Sequence, residues 1–426
     1  MSAVVEPGEA GGRTVLAPLR ATPLAVLDVG TDRFACFLAR PRPSRGFALL
    51  GRGLREAAGM RAGAVDEPEA AAAALAATLQ AAEEEAGEEI RGVVVVTSAG
   101  RPRSRLVRVE VEVPGGIVRE AHIRRALDAA RRIALRAGET ALHAVPVEGV
   151  VDGGRALRDP RGARGTRLDL LATVVVAEAA AVETVVDAVA ACHVEVADVI
   201  AAPYAAGVAV AGEDELERGV LVAEFGAGTT ALAHFHDGRL LFVHTVPWGG
   251  RHLTADLAYG LSTSPRVAER LKTLHGSLGH RDGDLRIEVP GPEGGEVETT
   301  VARADLARIL RARVEEIFDF LEKGIEAQRD LFDGRPPRSV VLSGGGSLLD
   351  GLAETAEEIF GLPVRRGRAG LVFGPAGVED DPGFAAASGA LALAVGDDGG
   401  LSWHDMNRAE GGGWLARLTR WLGWRA

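Results

Sequence analysis

The chain has 426 residues, 47% hydrophobic and 25% charged, which is too long for one ordinary core and too apolar for a disordered polymer, so two or more lobes are expected. A formal charge of −12 argues against a general nucleic-acid binder. The two cysteines, Cys36 and Cys192, sit in apolar stretches without a Cys/His cluster, so they read as reduced core thiols and cannot build a structural zinc site.

In chain order, residues 1–22 read as a loose Pro/Gly/Arg tail with no apolar segment long enough for a signal peptide. LAVLDVG (24–30) and RFACFLAR (33–40) form a strand, a tight turn and a second strand. The Ala-rich segment 67–87 is a helix closed by Gly87, and GVVVVTSAG (92–100) is a buried strand. The texture then changes. RLVRVEVEVP (105–114) alternates charged and apolar residues, 119–138 is an amphipathic helix ending at Gly138, and 143–153 and 167–177 are strand-like. The block 101–175 therefore reads as a small α/β subdomain inserted in the first lobe. A helix from 178 and another near 203–211 lead to LVAEFGAGTTALAHF, again strand, turn, strand. The segment 304–332 is a long helix with Leu306, Ile309, Leu310, Ile317, Phe320, Leu321 and Ile325 along one stripe. RSVVLSGGGSLLDGL (338–352) is strand, Gly-rich turn, helix, and 396–413 has the composition of a flexible linker. No stretch reaches the ~20 apolar residues of a membrane-spanning helix.

LDVGTDR and AEFGAGTT share a plan: apolar strand, acid, one residue, Gly, then Thr before a second strand. Glycine lets backbone amides approach an anion, and successive amides in such a turn form a concave cradle. Thr31, Thr229 and Thr230 add hydroxyls. A carboxylate does not favour phosphate directly, so Asp28 and Glu224 imply Mg²⁺ and its waters between acid and phosphate. Strand–GGG–helix at Gly344, Gly345 and Gly346 offers bare backbone on which an adenosine ring can lie.

On these three motifs the chain resembles the actin/Hsp70/sugar-kinase superfamily. VPWGGRHLTADLAYGLST (246–263), VAERLKTLHG (267–276) and the C-terminal helix make it similar to the FtsA family of bacterial cell-division actin homologues. The resemblance implies an actin-like two-lobe α/β fold with duplicated ribonuclease-H-like domains, a relocated subdomain in the first lobe and a C-terminal amphipathic helix. It divides the chain into a first lobe at 23–100 and 176–210, an insert at 101–175, a second lobe at 211–261 and 338–374 with a small subdomain at 262–337, a return helix at 375–395, a linker at 396–413 and an amphipathic helix at 414–426. It further implies that ATP and Mg²⁺ are held by Asp28, Gly30, Thr31, Asp32 and Arg33 of the first loop. Glu224, Gly226, Gly228, Thr229 and Thr230 of the second loop, Glu269 and Lys272 at ribose and adenine, and Gly344 to Gly346 complete that set.

Two departures bear on chemistry. The family's second loop usually carries Asp where this chain has Glu224, and one extra methylene shifts the carboxylate relative to the metal's waters. The segment AAPYAAGVAV (201–210) has no Gln, Glu, Asp or His to position a water, so a switch with weak or absent hydrolysis is expected. The last residues, WLARLTRWLGWRA, place Trp414, Leu415, Leu418, Trp421 and Leu422 on one helical arc with Arg417 and Arg420 off it, the pattern of an interfacial membrane helix. The resemblance implies an acidic, apolar tail peptide of the tubulin-like FtsZ as partner, docking on the small subdomain at Arg313 with Arg303 and Arg308 nearby. It also implies self-association into filaments, contact with later division proteins, and a peripheral place on the cytoplasmic face of the inner membrane. A pilus-assembly actin-like protein and a small-molecule kinase of the same superfamily are the alternatives. The first would usually lack the tail, and the second needs a catalytic carboxylate that 201–210 does not supply.

Overall fold

The computed structural model describes residues 23–42, 46–279, 285–290, 297–328, 332, 334–374 and 378–395. The expected N-terminal tail, linker and amphipathic helix lie outside the described residues.

The chain opens with a meander, β1 (Leu24–Val29), β2 (Arg33–Pro41) and β3 (Phe47–Glu56). A short hairpin follows, β4 (Met60–Arg61) and β5 (Ala64–Val65), then helix α1 (Pro68–Ala86) and β6 (Gly92–Thr97). The alternating segment becomes β7 (Arg103–Glu112), α2 (Glu120–Ala134), β8 (Glu139–Val151), β9 (Ala156–Leu157) and β10 (Arg167–Glu178). Then come α3 (Ala179–Ala190), β11 (Glu195–Ala201), α4 (Ala202–Val210) and α5 (Glu213–Arg218). A second meander, β12 (Val220–Phe225), β13 (Thr230–His236) and β14 (Arg239–Val246), leads to α6 (Gly250–Gly260) and α7 (Pro265–His275). The rest is β15 (Arg286–Pro290), β16 (Val297–Ala302), α8 (Arg303–Glu326), β17 (Ser339–Ser343), a 3₁₀ turn at Gly345–Leu348, α9 (Leu352–Phe360), β18 (Val364–Arg366), β19 (Val372–Phe373) and α10 (Ala385–Val395).

Helix ends follow local chemistry. α1 begins with Pro68 in its first turn and stops where Gly87 takes φ 68°, its amide donating to the Glu83 carbonyl. α2 ends at Ala134, four residues before the glycine that the sequence pattern marks as its stop. Leu135 is extended, and Glu139 accepts from the Arg136 amide and from Arg105, which pulls this segment out of the helix. The Arg105 hydrogen bond outweighs burial and, with Arg103 beside it, holds Glu139 near pKa 2.

Two sheets repeat one plan. The first runs β11-β6-β1-β2-β3-β19, with β1 antiparallel to β2 and parallel to β6. The second runs β14-β13-β12-β17-β18, with β12 antiparallel to β13 and parallel to β17. Each sheet is thus a meander continued by parallel strands, and its turn after the first meander strand lies at the carboxyl end of those parallel strands. That end is where open α/β sheets bind ligands. Helices α4 and α10 lie in the core shared by the two lobes, with Phe37, Tyr204, Phe235 and Phe384. They pack so closely that a Cβ on Gly389 would lie 1.8 Å from the Ala205 carbonyl oxygen.

The insert is the sheet β7-β10-β8-β9 covered by α2, whose Ile123 and Leu127 share a core with Val109, Leu168 and Leu170. Its long strands straddle both lobes. Val145 and Val175 enter the core that holds Ile200 and Tyr204, while Val147 and Leu171 pack on Leu241 of β14. Ser104 Oγ accepts from the Val243 amide at 2.8 Å, and Arg335 pairs with Glu148 at 2.5 Å.

Candidate functional site: two matched turns in one crevice

The two acid–glycine turns are built alike. Residues 30–33 connect the pair Val29 and Phe34, and residues 226–229 connect the pair Phe225 and Thr230. Glycine opens each turn for the same reason. A Cβ on Gly30 would lie 2.7 Å from the Arg33 carbonyl oxygen, and one on Gly226 would lie 2.9 Å from that of Thr229. This register refines the sequence comparison: Asp28 matches Glu224 and Gly30 matches Gly226, but Thr31 matches Ala227, and Thr229 stands where the first turn has Arg33.

The turns meet. A Cβ on Gly228 would lie 2.3 Å from Thr31 Oγ1, so the second turn rests on the buried threonine of the first. Thr31 Oγ1 also accepts from the Gly63 amide at 2.9 Å, and a Cβ on Gly63 would lie 3.1 Å from the Thr229 methyl. The β4–β5 hairpin thereby forms a third wall. Thr230, fully buried, donates its hydroxyl to the Trp248 carbonyl at 2.8 Å and supports β13 rather than lining the crevice.

Asp28 and Glu224 sit on the strands that lead into these turns, near enough that the charge of Asp28 acts on Glu224. Burial raises Asp28 to about 6, with Arg33 opposing. Burial first, then the Asp28 charge, raises Glu224 to about 8. Two carboxyls so placed cannot both ionise cheaply without a cation near them. Among the described residues no group of three His, Cys, Asp or Glu could hold a metal directly. A cation here would have to be held chiefly by its waters and by a phosphate.

The GGG turn lies on the second loop. Gly344 has φ 77°, and a Cβ there would lie 2.5 Å from the Phe225 carbonyl oxygen, while one on Gly346 would lie 2.3 Å from the Phe225 ring. A Cβ on Gly345 would meet nothing within 4 Å, so its backbone faces open space. Beside it, Lys272 Nζ on α7 donates to the Gly250 carbonyl at 3.0 Å, to Thr254 at 2.8 Å and to Glu269 at 2.7 Å. Burial raises the Glu269 pKa, but hydrogen bonds from Lys272 and Thr254 outweigh it and leave the group below the ordinary carboxylate range.

Two first-loop residues have protein partners. Arg33 donates to the Gly383 carbonyl at 2.9 Å and stacks on Phe384 at 4.2 Å, bound to the chain crossing between lobes. Asp32 pairs with Arg251 of α6 at 3.2 Å. Of the three basic residues on α8, Arg313 is held by Asp256 at 2.5 and 3.0 Å and by Glu316, and Arg303 donates to the His275 carbonyl at 3.3 Å. Arg308 is the most open, paired only loosely with Asp305 at 3.5 Å. Sequence reasoning missed Gly63 and Arg251. GMRAG (59–63) carries no periodicity, although its paired glycines mark a tight hairpin, and Arg251 is one more cation at a helix start.

Two lobes of this topology, each lending an acid–glycine turn to one crevice, define the actin-like class. Solved structures agree on the fold. A type IV pilus biogenesis complex, PilM–PilN, is 21% identical with a TM-score of 0.61, over 88% of this chain and 98% of that one. An MreB 5 of Spiroplasma citri bound to AMPPNP is 14% identical with a TM-score of 0.52, over 88% and 96%. Within that class, the family model described as cell division protein FtsA matches residues 221–389, and the model of the SHS2 domain inserted in FtsA matches 99–176. The cell division protein FtsA of Agrobacterium fabrum is 32% identical over 94% of both chains. That of Neisseria meningitidis is 32% identical over 94% of this chain and 97% of its own, and that of Escherichia coli K12 is 26% identical over 93% and 96%. The chain belongs to the FtsA family, and its role is that of an actin-like cell-division protein.

Proposed function

We propose that this protein is an ATP-binding switch that tethers FtsZ filaments to the cytoplasmic membrane and carries later division proteins. The observation behind this reading is the contact of Gly228 with Thr31, which joins the turns that follow the coupled acids Asp28 and Glu224. Small residues, a hydroxyl and two carboxyls suit a triphosphate with hydrated Mg²⁺. Bound ATP supplies the negative charge and the metal that both loops grip. The chain's own part is to present Gly30, Gly226 and Gly228 without Cβ atoms, to ionise Asp28 and Glu224 toward the metal's waters, and to offer the Gly345 backbone and the Glu269–Lys272 pair to the nucleoside. α4 begins beside the first loop, where Ala201 pairs with Thr97 and Thr97 with Val29. Its nine residues carry no carboxylate, amide or imidazole, which favours slow turnover. Trp414, Leu415, Arg417, Leu418, Arg420, Trp421 and Leu422 supply the membrane contact, and the α8 face supplies the contact for an acidic tail through Arg308, with Arg303 and Arg313 held beside it by their protein partners.

The test is recruitment of a labelled FtsZ tail peptide to anionic vesicles by the full chain, with ATP and Mg²⁺ present or absent. Recruitment that rises with ATP supports the reading; a peptide left in solution in both arms refutes it. Gly345→Ala serves as the nucleotide control. It should keep the wild-type unfolding midpoint and weaken ATP binding about tenfold.

A further inference from the structure

Beyond the chain crossings near 201–219 and 366–384, α6 reaches the first lobe through Arg251. Its amide donates to the Ala227 carbonyl at 2.8 Å, which ties its backbone to the second loop. Its guanidinium points the other way. Nε lies 3.2 Å from Asp32 Oδ1 at the tip of the first loop, and Nη1 donates to the Met60 carbonyl at 3.0 Å. Met60 opens the hairpin whose Gly63 touches Thr31 and Thr229. The first loop joins the same unit, since the Asp32 carbonyl accepts from the Ala57 amide at 2.9 Å. One side chain of the second lobe thus holds both the tip of the first loop and the hairpin beside it. On the opposite side, Arg33 is bound to the covalent crossing at Gly383.

We propose that Arg251 is a latch that keeps the lobes closed and sets how long a nucleotide stays. This rests on the nucleotide-binding reading above. Arg251 is not needed for ligand contact in this role, because both its acceptors are protein atoms. The ion pair has side chains 41% and 62% exposed and alone accounts for less than about a fivefold effect. The charge-assisted bond to the Met60 carbonyl brings the expected total to about tenfold. Here the two acceptors are met by two different nitrogens of one rigid plane, Nε and Nη1, whereas a lysine donates from a single nitrogen and cannot keep that geometry.

The experiment is stopped-flow binding and release of a fluorescent ATP analogue with Mg²⁺, on the full chain and on Arg251→Ala, Arg251→Lys and Asp32→Asn. Removing a latch frees both entry and exit. Arg251→Ala should therefore speed release about tenfold and also speed association, with an unchanged unfolding midpoint. Arg251→Lys should fall between it and wild type. Asp32→Asn should speed release about twofold, and the Arg251→Ala/Asp32→Asn double variant should release no faster than Arg251→Ala alone. Faster release with unchanged or slower association would make Arg251 a direct ligand contact and overturn the latch, as would unchanged release. A wild-type chain that binds no analogue would overturn the nucleotide reading itself, so the two failures are told apart.

Discussion

Glu224 carries its acid one methylene farther out than Asp28, yet the matched turns bring both groups into one crevice. The consequence is a proton. Folded Glu224 titrates at about 8 against an ordinary 4.5, and folded Asp28 at about 6 against 3.8. Both shifts are upward, so the folded state binds more protons than the unfolded one between the two values. The contribution to stability is whole below about 4 and lost as pH rises through 6 and then 8. Without nucleotide or metal, unfolding free energy should fall with pH across this window, by on the order of 2 kcal/mol per unit where both groups contribute. Mg²⁺ with ATP should remove or reverse that slope, because the cation favours ionised carboxylates. Urea unfolding at several pH values, on wild type and Glu224→Gln, checks this. The variant should show a flatter profile without ligand, and an equally steep one would place the proton elsewhere.

At the level of elements, α8 separates residues that support the fold from those free to meet a partner. Leu306, Leu310, Ile317 and Leu321 of its apolar stripe are buried as the periodicity predicts, and Phe320 stacks on Trp248 at a centroid distance of 4.3 Å. Arg313 lies off that stripe but bridges to Asp256 on α6, so its charge ties two helices together. Arg308 leaves 75% of its side chain exposed. Arg308→Glu should weaken binding of an acidic FtsZ tail peptide about fivefold at an unchanged unfolding midpoint. Arg313→Glu sets a third carboxylate beside Asp256 and Glu316 and should cost about 1–3 kcal/mol of stability. Calorimetric peptide titration and thermal unfolding of both variants decide it, and equal losses of peptide binding with unchanged midpoints would put Arg313 in the interface. The contrast also marks what a sequence can disclose. Both turns, the GGG motif and the α8 stripe were legible because glycine and periodicity act within a few residues of chain. The bond from Arg251 to Met60, the early stop of α2 at Ala134 and the occupation of Arg33 by Gly383 were not, since each partner is distant in the chain or adopts an irregular turn.

For the whole molecule, the described lobes and the terminal segment pose separate thermodynamic problems. The described chain ends on α10, which packs on α4 between the sheets, and none of its helices is long and apolar enough to cross a membrane. In the function proposed above, the hold on lipid comes from WLARLTRWLGWRA, which follows a segment with the composition of a flexible linker. A helix of thirteen residues would be marginal in water, so in that reading ordering and lipid binding are one event. Arginines near an anionic surface contribute roughly 1 kcal/mol each, so in that reading one tail would be a weak and reversible anchor. Filaments would present many tails, so attachment should depend on assembly more steeply than on the affinity of one tail. Deleting 414–426 should leave the unfolding midpoint and ATP affinity unchanged and abolish co-sedimentation with anionic vesicles. Intact protein should lose its vesicles on dilution below the assembly concentration, and again as salt screens the arginines. Persistent co-sedimentation of the truncated chain would move the lipid contact onto the folded lobes, whereas retention that ignores dilution would mean that one tail suffices and that assembly serves some purpose other than attachment.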